Sequence, residues 1–193
     1  AHLGPKLKYS ACEWPVGCGA DTKDPASCAK SLADAEDLTI ASYQQKLGLA
    51  ELPAGSRVLE LGCGWGSLSL TNAAKYPNLN FVGFSNSPQQ IGHIKDQCAK
   101  RGITNLSVFV EDYADFVDLG KSKVAPAGSA PFDAAVAIET VEHAQNIGEL
   151  LEAVAKRLKK GAKFFVHSLL HQSSSYLVDL DGWMGRNFFT GGS

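Results

Sequence analysis

A chain of 193 residues, 45% apolar and 20% charged, is long enough for one domain with a buried core and ordinary in composition for a globular protein. Its formal net charge of -2 supplies no overall basic field, which counts against nucleic acid or an anionic membrane surface as a dominant partner. No apolar run approaches the roughly 20 residues of a membrane-spanning helix. The start, Ala1-His2-Leu3-Gly4-Pro5-Lys6, carries neither an initiator methionine nor a secretory signal pattern, so a natural start further upstream is expected.

The first thirty residues are rich in Gly, Pro, Cys and Ala and read as an irregular segment, 1–30. Three of the five cysteines, Cys12, Cys18 and Cys28, lie there, with Cys63 and Cys98 further on. The spacing is not C-x-x-C, the number is odd and no fourth ligand stands nearby, so the reduced thiols of a cytoplasmic protein and no metal site are expected.

A helix is expected from Ser31 to Leu49, capped by Ser31, with Leu32, Ala35, Leu38, Tyr43 and Leu47 as its apolar stripe and Gly48 and Pro53 closing it. Strands and helices then alternate. Arg57–Leu61 is a short strand running into glycines, Leu68–Tyr76 a helix stopped before Pro77, and Asn80–Phe84 a second strand. Ser87-Pro88 opens a helix reaching Arg101. Leu106–Val110 is a third strand, Lys121–Pro131 a surface loop and Phe132–Ile138 a fourth strand. Asn146–Lys160 is a helix ended by Gly161, and Lys163–Leu170 a fifth strand. Short strands, apolar on both faces and separated by helices, imply a doubly wound α/β fold with a mostly parallel sheet over 31–171. Residues 172–193 turn polar and aromatic. A sheet ending at its fifth strand leaves an apolar edge, so further C-terminal sequence, or another chain as in a homodimer, is expected to cover it.

Glu60-Leu61-Gly62-Cys63-Gly64-Trp65-Gly66 lies where the first strand meets a helix, the switch-point position of such folds. Glycines there permit close approach and unusual dihedrals, and the helix start behind them offers free N–H groups. A nicotinamide cofactor calls for G-x-G-x-x-G. The spacing here is G-x-G-x-G with an acid two residues before the first glycine, which suits a cofactor with an amino-acid tail and a sulfonium. A nicotinamide dehydrogenase is further disfavoured because no acid ends the second strand.

The block Val58–Leu70 resembles motif I of class I methyltransferases. More narrowly, it is similar to the family uniting cyclopropane fatty acid synthases with coclaurine-type N-methyltransferases. Four other blocks carry the resemblance in order: Leu7-Lys8-Tyr9-Ser10-Ala11-Cys12-Glu13-Trp14-Pro15, Ser85-Asn86-Ser87-Pro88-Gln89-Gln90, Glu139-Thr140-Val141-Glu142-His143, and Trp183-Met184-Gly185-Arg186-Asn187-Phe188-Phe189-Thr190-Gly191-Gly192. Relative to that family the chain lacks part of an N-terminal helical region, the C-terminal lid and the final strands, so a Rossmann-like methyltransferase core truncated at both ends is expected.

The resemblance implies S-adenosyl-L-methionine as cofactor and S-adenosyl-L-homocysteine as its product. Gly62, Gly64 and Glu60 would hold the methionine moiety, with Tyr9 and Ser10 closing over it from segment 1–30 and reaching its carboxylate. Gln90 would meet the ribose hydroxyls, Asp112 would accept from the adenine amino group, and Tyr113 would lie beside the ring. A helix cap or turn for Asp112, a core aromatic for Tyr9 and a solvated helix face for Gln90 are the structural alternatives.

Glu139, Glu142 and His143 follow the fourth strand beside the switch point. Two carboxylates and an imidazole there suit holding a cationic amine and taking its proton, and the resemblance gives them this catalytic role, Glu142 and His143 foremost with Glu139 orienting. The alternative is that Glu142 and His143 start a surface helix. His167 lies at the same end of the sheet, either as a satisfied core histidine or as part of a bicarbonate site of the kind the cyclopropane synthases carry. The cysteine of that site falls at Ala11 here, which disfavours cyclopropanation. Trp183, Phe188 and Phe189 would line an apolar substrate pocket or anchor a lid, the latter over 172–193. The expected function is N-methylation of a small aromatic or alkaloid-like amine. Cyclopropanation of a lipid acyl chain and a non-catalytic cofactor-binding or scaffolding domain are the alternatives.

Overall fold

The structure is a computed structural model and describes residues 3–14, 31–144, 146–169, 181–183 and 186. Five strands, β1 (Arg57–Leu61), β2 (Asn80–Ser85), β3 (Leu106–Val110), β4 (Phe132–Ile138) and β5 (Leu158–His167), form one sheet in the order β3-β2-β1-β4-β5. Every pairing is parallel. Parallel neighbours require crossovers. Helices α2 (Ser67–Lys75), α3 (Pro88–Arg101) and α5 (Ile147–Arg157) supply them, with α1 (Leu32–Leu47) preceding the sheet and the short α4 (Tyr113–Val117) following β3.

Alternation along each strand divides the core into two layers. Val58, Phe81 and Ala134 face Ile40, Tyr43 and Leu47 of α1 and Leu68 and Ala73 of α2. Leu59, Val82 and Ala135 face the other way, against Phe116 of α4 and Leu150 and Val154 of α5. Phe116 is fully buried, stacks on Phe84 with centroids 4.9 Å apart and lies under the Arg157 guanidinium. Winding runs outward from β1 through β2 to β3 and then returns to place β4 on the other flank of β1. The crevice beyond the carboxyl ends of β1 and β4 is therefore the switch point, where this architecture receives ligands.

Local chemistry accounts for the element ends. Ser31 caps α1 by accepting from Asp34 N at 3.2 Å, and Gly48 ends it in the left-handed conformation. Ser87 caps α3, with Pro88 in its first turn. The stripe on α1 differs from its expected phase: Leu32 and Leu38 are 41% and 45% exposed, while Thr39, Ile40 and Gln44 are buried. Ala35, Ile40, Tyr43 and Leu47 form the facing set, because the segment 3–14 packs on α1 as well and buries Glu36 and Thr39.

Two boundaries also differ. The last helix ends at Arg157, and Leu158 opens β5. Gly161 (φ 83) therefore lies within β5, where the pairing with β4 shifts register, and does not terminate the helix. The stretch expected as the surface loop 121–131 is partly core. Val124 and Ala125 are buried, because the Glu111 carboxylate accepts from Ser122 Oγ and from the Lys123 and Val124 amides. A side chain that satisfies the loop's polar groups lets the loop leave water.

β5 is the outer strand among the described residues, and Val166 on it is 38% exposed. Cys12, Cys63 and Cys98 carry free thiols; Cys18 and Cys28 lie outside the described residues. Among the described residues no helix is long and apolar enough to cross a membrane.

Candidate active site

β1 delivers Glu60 and Leu61 to the loop 62–66, and α2 begins at Ser67. Gly62 (φ 64), Gly64 (φ 52) and Gly66 (φ 83) all lie in the left-handed region. A methyl group on Gly62 would collide with the Thr140 side chain, and one on Gly64 would lie 2.9 Å from the Tyr9 ring. The glycines thus admit protein side chains as well as a ligand: Thr140 from the end of β4, and Tyr9 from the N-terminal segment. The third glycine packs α2 against α3, where its missing Cβ leaves room for Ile94.

A cavity of about 700 Å³ opens beyond the carboxyl ends of the strands. Eight of the expected site residues line it: Tyr9, Gly62, Gly64 and Gln90 around the glycine loop and α3, and Asp112, Tyr113, Glu139 and His143 after β3 and β4. A second, smaller cavity shares Tyr9, Gly62 and Gly64 and adds Ser10 and Glu60, so these two expected residues meet the site from behind the loop. Neither cavity includes Glu142, His167 or Trp183 in its lining. Trp183 is 71% exposed. Phe188 and Phe189 lie outside the described residues.

The individual geometries are specific. Glu60 accepts from Ser69 Oγ at 2.5 Å, and burial pushes its carboxyl up to about 7. Gln90 Oε1 accepts from Ser85 Oγ at 2.6 Å. Asp112 caps α4, its Oδ1 accepting from Asp115 N at 2.8 Å, so the capping alternative is realised in a residue that also lines the cavity. Tyr113 is hydrogen-bonded to Thr140 Oγ1 at 2.5 Å and sets its ring edge-on to Phe84. Burial raises the Tyr113 phenol well above its usual range, which keeps it neutral.

Glu139 is one of two non-glycine residues with positive φ (46°) among the described residues, a conformation that costs on the order of 1–3 kcal/mol and persists where neighbours enforce it. Here its N–H donates to the His167 carbonyl at 2.7 Å, and its Oε1 accepts from Ala11 N at 2.9 Å. His167 Nε2 lies 3.8 Å from the same oxygen, while its Nδ1 is 2.7 Å from the Tyr43 hydroxyl. Glu142 and His143 stand on a 3-10 turn, Val141–His143, rather than opening a surface helix. Glu142 Oε1 accepts from Leu169 N at 2.8 Å, tying the turn to the chain beyond β5.

Sequence reasoning passed over Thr140, Asn146 and Glu149, which also line the larger cavity. Thr140 sits inside the block Glu139-Thr140-Val141-Glu142-His143, where the charge of Glu139 and Glu142 is the conspicuous signal and a neutral hydroxyl is not. Asn146 and Glu149 form the capped first turn of α5, and only the topology turns that helix start toward the crevice. Asp112, Glu139 and Glu149 line the cavity without a Lys or Arg among the lining residues; Glu111 borders it too, but its carboxylate is taken up by Ser122 and the Lys123 and Val124 amides. Such a wall favours a cationic ligand. Among the described residues no group of three or more His, Cys, Asp or Glu is placed to hold a metal ion.

The family model described as mycolic acid cyclopropane synthetase matches residues 16–193. N-methyltransferase 4 of Papaver somniferum is 30% identical over 187 residues, which make up 95% of this chain and 46% of that protein. Cyclopropane-fatty-acyl-phospholipid synthase of Escherichia coli (strain K12) is 26% identical over 192 residues, 98% of this chain and 42% of that one. Among solved structures, coclaurine N-methyltransferase bound to N-methylheliamine and SAH matches with a TM-score of 0.73 and 25% identity, covering 95% of this chain and 48% of that chain. The chain spans about half the length of the curated relatives it matches.

Proposed function

The chain belongs to the mycolic acid cyclopropane synthetase family, and we propose that it is the cofactor-binding core of an S-adenosylmethionine-dependent methyltransferase acting on the nitrogen of a small, largely aromatic amine. The observation that carries this reading is the cavity wall, where Asp112, Glu139 and Glu149 stand with no Lys or Arg, beside a loop of three positive-φ glycines. A sulfonium and an ammonium are both cations, and both gain from that wall. The relatives that bear N-methyltransferase names, and the one solved with SAH, support the same cofactor and acceptor class.

Bound there, the cofactor supplies a methyl group already activated on sulfur. The chain's own residues then have two tasks, alignment and proton handling. Gly62 and Gly64 let the cofactor's amino-acid end lie close to the backbone, with Glu60 behind. Gln90, at the start of α3, suits the ribose hydroxyls. Asp112 has one oxygen committed to its cap, and its other oxygen suits the adenine amino group, with Tyr113 beside the ring. On the acceptor side, Glu139 and His143 share the cavity wall, so Glu139 would hold the protonated amine and His143 would take its proton, leaving a neutral nitrogen to receive the methyl group as its bond to sulfur breaks and the thioether leaves. Glu142, whose carboxylate bonds the Leu169 amide, fixes the turn that presents His143.

Cyclopropanation of a lipid acyl chain is a second reading. The approach of His167 to Glu139 favours it; the alanine at position 11, where that chemistry has a cysteine, counts against it. The proposed setting is cytoplasmic, supported by the free thiols of Cys12, Cys63 and Cys98. The test offers the full-length protein S-adenosylmethionine labelled on the methyl group together with ring-bearing secondary amines and, separately, vesicles of unsaturated phospholipid. Labelled N-methyl product that disappears in His143→Ala supports the proposal. Labelled cyclopropane lipid supports the second reading. Tight cofactor binding without either product points to a non-catalytic binding domain.

A further inference from the structure

Lys8 has no part in the chemistry described so far, yet it is among the most buried charged residues, 5% exposed. Its ammonium donates to Ser10 Oγ at 2.7 Å, to the Ser10 carbonyl at 3.0 Å and to the Ala11 carbonyl. Those bonds use its three protons. Among the described residues no carboxylate lies within 4.0 Å of this nitrogen; Cys12, Glu139, Glu36 and Glu13 act on it without a direct hydrogen bond. A buried cation held by neutral oxygens, with the Tyr43 ring centroid 5.8 Å away, is stabilised by any anion brought to the same place.

The consequence for Ser10 follows from hydroxyl chemistry. A serine oxygen that accepts from an ammonium keeps its own proton to give, and among the described residues that proton has no acceptor. The curl that creates this arrangement is held against backbone preference, since Leu7 sits at φ 55 with its N–H bonded to the Gly4 carbonyl. Lys8, Ser10 and Glu60 line the smaller cavity together with Gly62, Gly64 and Ser67 at the start of α2. One cation with a hydroxyl donor and one carboxylate, lining the same cavity, are the chemical complement of an α-amino carboxylate.

We propose that Lys8 is a positioning residue for the amino-acid end of the cofactor: it fills the acceptor side of the Ser10 hydroxyl, leaves that hydroxyl as a donor to the ligand carboxylate, and together with Glu60 in the same cavity selects ligands that carry both an ammonium and a carboxylate. This rests on the cofactor proposed above. It adds to that reading a residue that acts through Ser10 rather than by direct contact, and a selectivity that follows from it.

The test is calorimetric titration of the chain with S-adenosylhomocysteine and with 5′-methylthioadenosine, which keeps the nucleoside and lacks the amino-acid end. Lys8→Met and Ser10→Ala are each expected to weaken S-adenosylhomocysteine about tenfold or more and to leave methylthioadenosine within about twofold. The double variant should bind no more weakly than Ser10→Ala alone, since Lys8 acts through that hydroxyl and has no further effect once it is gone. Equal weakening of both ligands, no weakening, or additive losses overturn the proposal. Lys8→Gln retains two donors for the carbonyls and serves if Lys8→Met does not fold; the same selective loss is expected of it, and unchanged selectivity overturns the proposal. Wild-type protein that binds neither ligand overturns the cofactor assignment itself, and this inference with it.

Discussion

Replacing Glu60 with Gln removes the carboxylate that β1 carries to the glycine loop while preserving its shape and its ability to accept from Ser69. Burial raises this carboxyl from 4.5 to about 7, and the Ser69 hydroxyl offsets only part of that. A group whose pKa is higher in the folded state than in the unfolded chain favours folding while it stays protonated. Its contribution is therefore fully present below about pH 4.5 and is lost as pH rises through about 7. The difference corresponds to about 3 kcal/mol, a sizeable part of the roughly 5–15 kcal/mol that holds a typical domain folded. The glutamine side chain stays neutral throughout. Urea unfolding across about pH 4.5–8.5 should accordingly show the two proteins close at the acid end and Glu60→Gln progressively more stable toward about pH 8, with a midpoint higher by about 1 M or more. Parallel curves, or a variant less stable than wild type at the alkaline end, would refute the reasoning, because either result would mean that the carboxylate is well compensated inside the fold. The same variant should bind S-adenosylhomocysteine more weakly, since the strain that Glu60 places on the free protein is relieved by a ligand ammonium.

Gly62→Ala forces a side chain into the left-handed region (φ 64) and against Thr140; a loss of at least about 1–2 kcal/mol together with weakened cofactor binding is expected, read by urea unfolding and titration. Glu111→Ala strips the acceptor from Ser122 Oγ and from the Lys123 and Val124 amides, so a loss of roughly 2–5 kcal/mol should appear in urea unfolding, with loop 121–131 exchanging its amide protons faster. Asp112→Ala removes the α4 cap at about 1 kcal/mol and should weaken S-adenosylhomocysteine beyond what that stability loss explains; unchanged affinity would confine Asp112 to its cap.

The fold was legible in the sequence because hydrophobic patterning and turn chemistry agreed strand by strand: β3 and β4 span the predicted residues, and Ser87-Pro88 begins α3 as expected. The sequence misled where a long-range partner overrode local pattern. Nothing near residue 121 announces that Glu111 will pull the following loop into the core. The phase of α1 is set by a segment about thirty residues earlier in the chain. Leu158-Lys159-Lys160 reads as the last turn of a helix, yet pairing with β4 draws the chain into β5 from Leu158 onward. At the site, residues marked by charge or by glycine were easy to find. Thr140 and Lys8 were not, because a threonine between two acids and a lysine in an irregular segment read as ordinary until packing brings one against Gly62 and buries the other beside Ser10.

Calorimetric titration of the folded protein with S-adenosylhomocysteine, with NADH as the control, bears most directly on the cofactor assignment. Saturable one-to-one binding of S-adenosylhomocysteine and none of NADH is the expected outcome. Binding of NADH instead, or of neither ligand by the full-length protein, would contradict the assignment.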